Sequence, residues 1–146
     1  MNKTKKIGFT CSCFDLLHAG HILMLKDAKE QCDYLIAGLQ TDPTIDRPNT
    51  KNKPIQSLEE RKIQLEAIKY IDEIIIYNTE KDLHTLLENI SPDIRVLGSD
   101  YTNKKFTGQN LNIKIYYHKR NHNYSTSNLR KKISSIKPTS VQHKPK

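Results

Sequence analysis

The sequence predicts one α/β domain, a parallel sheet of five strands with helices on both faces. Three observations predict it. Short apolar runs alternate with segments of helical period along almost the whole chain, which is the pattern of repeated strand–helix–strand units. The run Asp33 to Leu39 lacks the polar alternation of a strand with one wet face, as strands buried on both sides of a parallel sheet do. A length of 146 residues suits a single domain with a real core.

The elements follow in order. Lys6 to Cys11 reads as the first strand, with Ile7 and Phe9 on one face and loop chemistry beginning at Ser12. A helix from about Gly20 to Gln31 places Ile22, Leu25 and Ala28 at helical spacing and leaves Lys26, Lys29 and Glu30 to solvent. Asp33 to Leu39 is the second strand, completing a unit whose crossover is right-handed. From Gln40 to Gln56 the pattern lapses among Pro43, Pro48 and Pro54, with Arg47, Lys51 and Lys53 in the same stretch; loops of that length in compact domains are often functional. Ser57 with Glu60 makes a capping box that opens a helix running to about Tyr70, with Ile63, Ala67 and Tyr70 along one side and Leu65 and Ile68 at its edges.

Asp72 to Tyr77 is the third strand, in which Ile74, Ile75 and Ile76 are expected to be buried. Thr79 to Asp82 caps a helix with Leu83, Leu86, Leu87 and Ile90 as its apolar stripe, ended by Ser91-Pro92-Asp93. Ile94 to Leu97 is the fourth strand, Gly98 to Asn110 is polar with at most one helical turn, and Ile113 to Tyr117 is the fifth strand. After the polar loop 118–124, Ser125 N-caps a helix reaching about Ser135. Residues 1–136 are therefore the expected folded domain. Residues 137–146, basic, with two prolines and no apolar period, are an expected disordered tail.

Charge is unevenly placed. Residues 1–100 hold 13 Lys and Arg against 16 Asp and Glu, whereas residues 101–146 hold 11 Lys and Arg and no acid. A basic final third belongs near polyanion, and composition does not choose between nucleotide phosphates, nucleic acid and an acidic surface. Scattered lysines without interleaved aromatic residues argue against nucleic acid. No run approaches the roughly 18 to 20 apolar residues of a membrane span, and the first residues lack the apolar length of a signal peptide, so a cytoplasmic location is expected. Cys11, Cys13 and Cys32 are odd in number and read as reduced thiols; Cys11-x-Cys13 has no second pair with which to build a metal site.

Two segments carry chemistry. Phe14-Asp15-Leu16-Leu17-His18-Ala19-Gly20-His21 sets two imidazoles around a small residue and a glycine at a helix start, where unpaired N–H groups and the helix dipole favour phosphate. Tyr124-Ser125-Thr126-Ser127-Asn128-Leu129-Arg130 puts three hydroxyls at a second helix start. In parallel α/β sheets ligands bind beyond the carboxyl ends of the strands, and the first segment, the Lys51–Lys53 loop and the second segment all follow strands at that rim.

The octet resembles the HxGH signature of the nucleotidyltransferases with a Rossmann-like fold, and most of all its cytidylyltransferase branch, the glycerol-3-phosphate cytidylyltransferases being the nearest group. The second segment resembles that family's Ser/Thr-rich turn. Glu59-x-Arg61 with Leu65, Tyr70-Ile71-Asp72-Glu73-Ile74 and Gly98-Ser99-Asp100-Tyr101 are similar to further family segments, so the likeness runs from about Ile7 to Ile133.

The resemblance implies transfer of CMP from CTP to a small phosphorylated acceptor with release of pyrophosphate, Mg²⁺ held mainly by phosphate oxygens, and a homodimer. It implies catalytic roles for His18, His21, Lys53 and Arg120. It further implies a nucleotide site formed by Thr10, Cys11, Phe14, Gly20, Asp100, Tyr124, Ser125, Thr126 and Ser127. An ATP-dependent adenylyltransferase acting on a sugar phosphate or cofactor precursor is the alternative, and a basic nucleic-acid-binding protein a second one. Three departures bear on the acceptor and the turn. Ala19 stands where glycerol phosphate enzymes often have Trp, His122-Asn123 where they are typically acidic then glycine, and Ser12 where a glycine is usual, which predicts a strained turn there.

Overall fold

A computed structural model describes residues 4–136. Five parallel strands, β1 (Ile7–Ser12), β2 (Tyr34–Gln40), β3 (Glu73–Tyr77), β4 (Ile94–Gly98) and β5 (Lys114–His118), lie in the order β3-β2-β1-β4-β5. Four helices connect or follow them: α1 (Ala19–Glu30), α2 (Leu58–Glu66), α3 (Glu80–Ile90) and α4 (Thr126–Ser135). The chain winds outward from β1 to β3, then returns to the other side of β1 for β4 and β5. The strand order therefore reverses between β1 and β4, the kind of crevice in which open α/β sheets bind ligands.

The alternation along β2 shows why the sheet carries helices on both faces. Leu35, Ala37 and Leu39 pack into one core with Phe14, Leu25 and Ala28, while Ile36 turns into the other with Phe9, Leu83 and Leu87. Three aspartates close the lower edge. Asp33, Asp72 and Asp93, each immediately before a strand, accept the backbone N–H of Lys6, Leu35 and Ile7 at 2.8, 2.8 and 2.7 Å, so N–H groups at the strand starts find acceptors.

Four expectations are corrected. α2 ends at Glu66, with Ala67 as its C-cap, and the segment to Tyr70 is turn. Its buried face is Arg61 and Leu65, while Ile63 is 58% exposed, because the helix is seated by its arginine. Ile76 is 42% exposed, since β3 is an edge strand. The turn after β1 is strained as expected, but the strain falls on Phe14 at φ 48° and Leu16 at φ 51°, both left-handed, and not on Ser12, which ends β1. The helical turn in the polar stretch is a short 3₁₀ segment, Ser99–Tyr101. The expected tail, 137–146, lies outside the described residues. Among the described residues no helix is long and apolar enough to cross a membrane.

Candidate active site

The β1–α1 turn is held from three directions. Arg61, 2% exposed, donates from Nη1 to the carbonyls of Cys13 (2.9 Å) and Gln40 (2.7 Å), and from Nη2 to Thr41 (2.7 Å). Its Nε reaches the carbonyls of Gln56 and Ser57 at 3.2 and 3.3 Å. A planar guanidinium suits such a fork of acceptors. Asp15, 4% exposed, accepts the N–H of Ile55 (2.9 Å) and Gln56 (3.0 Å) and a bond from Arg130 Nη2 on α4 (3.0 Å). Thr126 Oγ1 donates to the Asp15 carbonyl at 3.3 Å. Thus the first residues of α4 are locked to the turn that precedes α1.

His18 and His21 cap α1 reciprocally. His18 Nδ1 accepts from Gly20 N at 3.0 Å, and His21 Nδ1 accepts from His18 N at 3.2 Å. Each neutral ring must then carry its proton on Nε2, so the helix backbone itself selects two Nε2–H donors with ring centroids 4.0 Å apart. Burial, reinforced by the neighbouring His18, pushes His21 down to about 4. Burial first, and then the neighbouring Arg120 and His122, push His18 down as well. Both rings work as neutral donors. A Cβ on Gly20 would lie 2.8 Å from His18 Cε1 and 2.8 Å from the Tyr124 carbonyl, so glycine lets α1 meet the turn before α4.

The shift of His21 has a measurable sign. In the unfolded chain the ring takes up a proton near its ordinary 6.5, whereas in the fold it resists protonation down to about 4. Unfolded chains therefore bind more protons in this interval, and stability present above 6.5 falls as pH drops through it. Thermal denaturation across pH is expected to show this decline, with a smaller slope in His21→Asn; an equal slope in the variant would contradict it.

The two helix starts open on one cavity of about 730 Å³ between them and the ends of β1 and β4. His18, Gly20, His21, Ser125 and Thr126 line it, together with Thr10, Cys11, Asp100 and Arg120. Ser125 Oγ caps α4 by accepting from Asn128 N at 3.0 Å, and Arg120 donates to the Tyr124 carbonyl at 2.5 Å. Thr10, 2% exposed, is tied to the Val96 carbonyl at 3.0 Å. Burial pushes the Cys11 thiol up against the opposing pull of Arg95.

Four residues that the sequence associates with the site stand off this wall. Phe14 is 1% exposed and packs in the core beneath the turn. Tyr124 turns its ring out to stack on His122, centroids 4.8 Å apart, while its carbonyl serves the turn. Ser127 and Lys53 are not among the lining residues, and Lys51 from the same loop is.

Sequence reasoning missed Arg95 and His118 on the wall, and noted Arg47 in the long loop without giving it a role. Arg95 is 3% exposed inside β4, with its guanidinium over the Phe106 ring and bonded to the Thr107 carbonyl. Arg47 pairs with Glu80 at 2.6 Å. A lone charged residue in an apolar strand, as at Arg95, is the signal that could have found it. Among the described residues no cluster of three His, Cys, Asp or Glu side chains could hold a metal. The wall carboxylates are Glu80, already paired, and Asp100, a donor set that fits a Mg²⁺ carried chiefly by phosphate oxygens and water.

A family model described as cytidylyltransferase-like matches residues 9–137. The bifunctional protein HldE of Campylobacter jejuni is 36% identical over 133 residues, covering 91% of this chain and 29% of that protein. HldE of Caulobacter vibrioides is 33% identical over 134 residues, covering 89% and 28%. The chain thus spans less than a third of the length of these relatives. A crystal structure of a lipopolysaccharide core biosynthesis protein from Thermoplasma volcanium matches with TM-score 0.67 and 26% identity, covering 82% of this chain and 100% of that one. Pantoate-beta-alanine ligase from Francisella tularensis, at TM-score 0.55 and 23% identity over 82% of this chain and 62% of that one, shares the fold.

Proposed function

From a chain that belongs to the cytidylyltransferase-like family of HxGH nucleotidyltransferases, we propose an adenylyltransferase that moves AMP from ATP to a sugar phosphate and releases pyrophosphate. The observation that carries nucleotidyl transfer is the pairing of His18 and His21, both fixed as Nε2–H donors, with the start of α4 across one cavity. An acceptor phosphate oxygen attacks the α-phosphorus, the bond to the bridging oxygen breaks, and pyrophosphate leaves with its electron pair. The nucleophile is already anionic, so positioning and charge stabilisation matter more than a general base.

In this reading His18 and His21 donate to the α-phosphate oxygens as negative charge builds there. Ser125, Thr126 and the first N–H groups of α4 hold the outer phosphates, Arg120 and Lys51 neutralise them, and a Mg²⁺ held chiefly by the phosphates would supply further positive charge.

The choice of nucleotide moves from CTP, the expectation of the sequence resemblance, to ATP. Supporting it is the likeness to the bifunctional HldE proteins. Supporting a sugar phosphate is the likeness to a lipopolysaccharide core biosynthesis protein, since core saccharides are assembled from activated sugars. Ala19 and His122-Asn123 depart from the glycerol phosphate pattern in the same sense. A CTP-dependent enzyme is the second reading, favoured by the description of the matching family model.

Pyrophosphate release measured with ATP and with CTP over a panel of phosphorylated acceptors tests it. ATP with a sugar phosphate is expected to give the highest kcat/KM. A preference for CTP, or for glycerol 3-phosphate, overturns the respective half.

A further inference from the structure

Five Lys and Arg side chains and the Nε2–H groups of His18 and His21 make the cavity wall rich in donors, as phosphates require. His118 differs. At the end of β5, with its side chain 12% exposed, it holds Nδ1 2.7 Å from Asp27 Oδ2. Asp27, on α1, also accepts from Tyr116 Oη at 3.1 and 3.2 Å and from Gln31 Nε2 at 3.2 Å. A carboxylate facing three donors is an acceptor, so the proton between Asp27 and His118 belongs to Nδ1. Nε2 of the neutral ring then carries a lone pair, the opposite polarity to His18 and His21. That Nε2 is buried and has no partner.

His122 supplies the complement. Its Nδ1 accepts from Tyr124 N at 3.1 Å, which leaves the proton on Nε2, and this Nε2 is also buried without a partner. The two rings stand on the same wall with centroids 6.5 Å apart. One unpaired acceptor and one unpaired donor side by side are costly unless a ligand meets them. A phosphate oxygen cannot satisfy the lone pair, whereas a hydroxyl donates and accepts at a single atom.

We propose that His118 and His122 form a hydroxyl-binding subsite beside the phosphate clamp. Asp27 and Tyr116 position His118, and the hydroxyl belongs to the sugar part of the acceptor. The assignment to the acceptor rests on the sugar phosphate reading above; the polarity of the two rings does not. A ribose hydroxyl of the nucleotide is the other source of the same chemistry.

The first test is independent of activity. Long-range ¹H–¹⁵N spectra of the labelled full chain at neutral pH are expected to show His118 protonated on Nδ1 alone, and His18, His21 and His122 on Nε2. A His118 protonated on Nε2 or on both nitrogens overturns the subsite, even if the protein proves to be an adenylyltransferase. A chain that releases no pyrophosphate with any probe, yet shows the expected tautomers, overturns the functional reading and the acceptor assignment while supporting the ring polarity.

The second test uses ATP with mannose 1-phosphate, 2-deoxyglucose 1-phosphate and methyl phosphate as acceptor probes. The wild type is expected to prefer the hydroxylated probes in kcat/KM. His118→Phe and Asp27→Asn are expected to cut that preference by about tenfold or more, as for a site built to bond a substrate hydroxyl, with the KM for ATP unchanged. His118→Gln, whose amide oxygen accepts, restores part of it. Unchanged selectivity in folded Asp27→Asn and His118→Phe overturns the proposal; a rise confined to the KM for ATP overturns the acceptor assignment and points to the ribose.

Discussion

His21→Ala is expected to lower kcat by about 10²- to 10³-fold, the range seen when one preorganised donor to a developing oxyanion is removed. The ring is the better buried of the pair and is kept neutral by burial and by His18. Its Nδ1 is occupied by the His18 N–H at 3.2 Å, so the donor it offers is Nε2–H, already oriented before substrate arrives. The fold should survive, because the lost cap is worth about 1 kcal/mol and Gly20 N keeps its bond to His18. Steady-state pyrophosphate release together with a thermal melt would check this. A folded variant with near-normal turnover would sink the role.

Arg61→Met should instead be a stability lesion. The side chain is 2% exposed and feeds five carbonyls, those of Cys13, Gln40, Thr41, Gln56 and Ser57. Methionine fills much of the volume but leaves these acceptors buried and unmet, so a loss of about 3 kcal/mol or more is expected in chemical denaturation. Because Cys13 opens the turn that leads to His18, the KM for the nucleotide should also rise in whatever fraction folds. Arg61→Lys keeps the charge but cannot fork, and should fall between the two. Wild-type stability in Arg61→Met would show that the carbonyls find water without loss.

Much of the fold is legible in the amino-acid sequence. The capping boxes at Ser57 and Thr79 sit where the sequence places them, because a cap is decided by residues three apart. The Leu83 and Leu87 stripe and the buried run of β2 follow from local period alone. Arg61 is harder. On the chain it is one more cation in a charged helix, with carboxylates close by as ready partners, and nothing local says that it turns inward to carbonyls from residue 13 to residue 57. Asp15 is similar, since its role depends on Arg130, separated from it by 115 positions.

The sequence alone determined the order of strands and helices, the two helix starts that carry His18, His21, Ser125 and Thr126, and the rim on which they meet, because periodicity, caps and strand ends are short-range properties. Only the tertiary structure decided which nitrogen of each histidine bears the proton. That choice turns on what lies within about 3 Å of each ring. For His18 and His21 it is the backbone of their own helix; for His118 it is Asp27, 91 residues away. The same residue type therefore faces one cavity with opposite polarity, as a donor where α1 begins and as an acceptor where β5 ends.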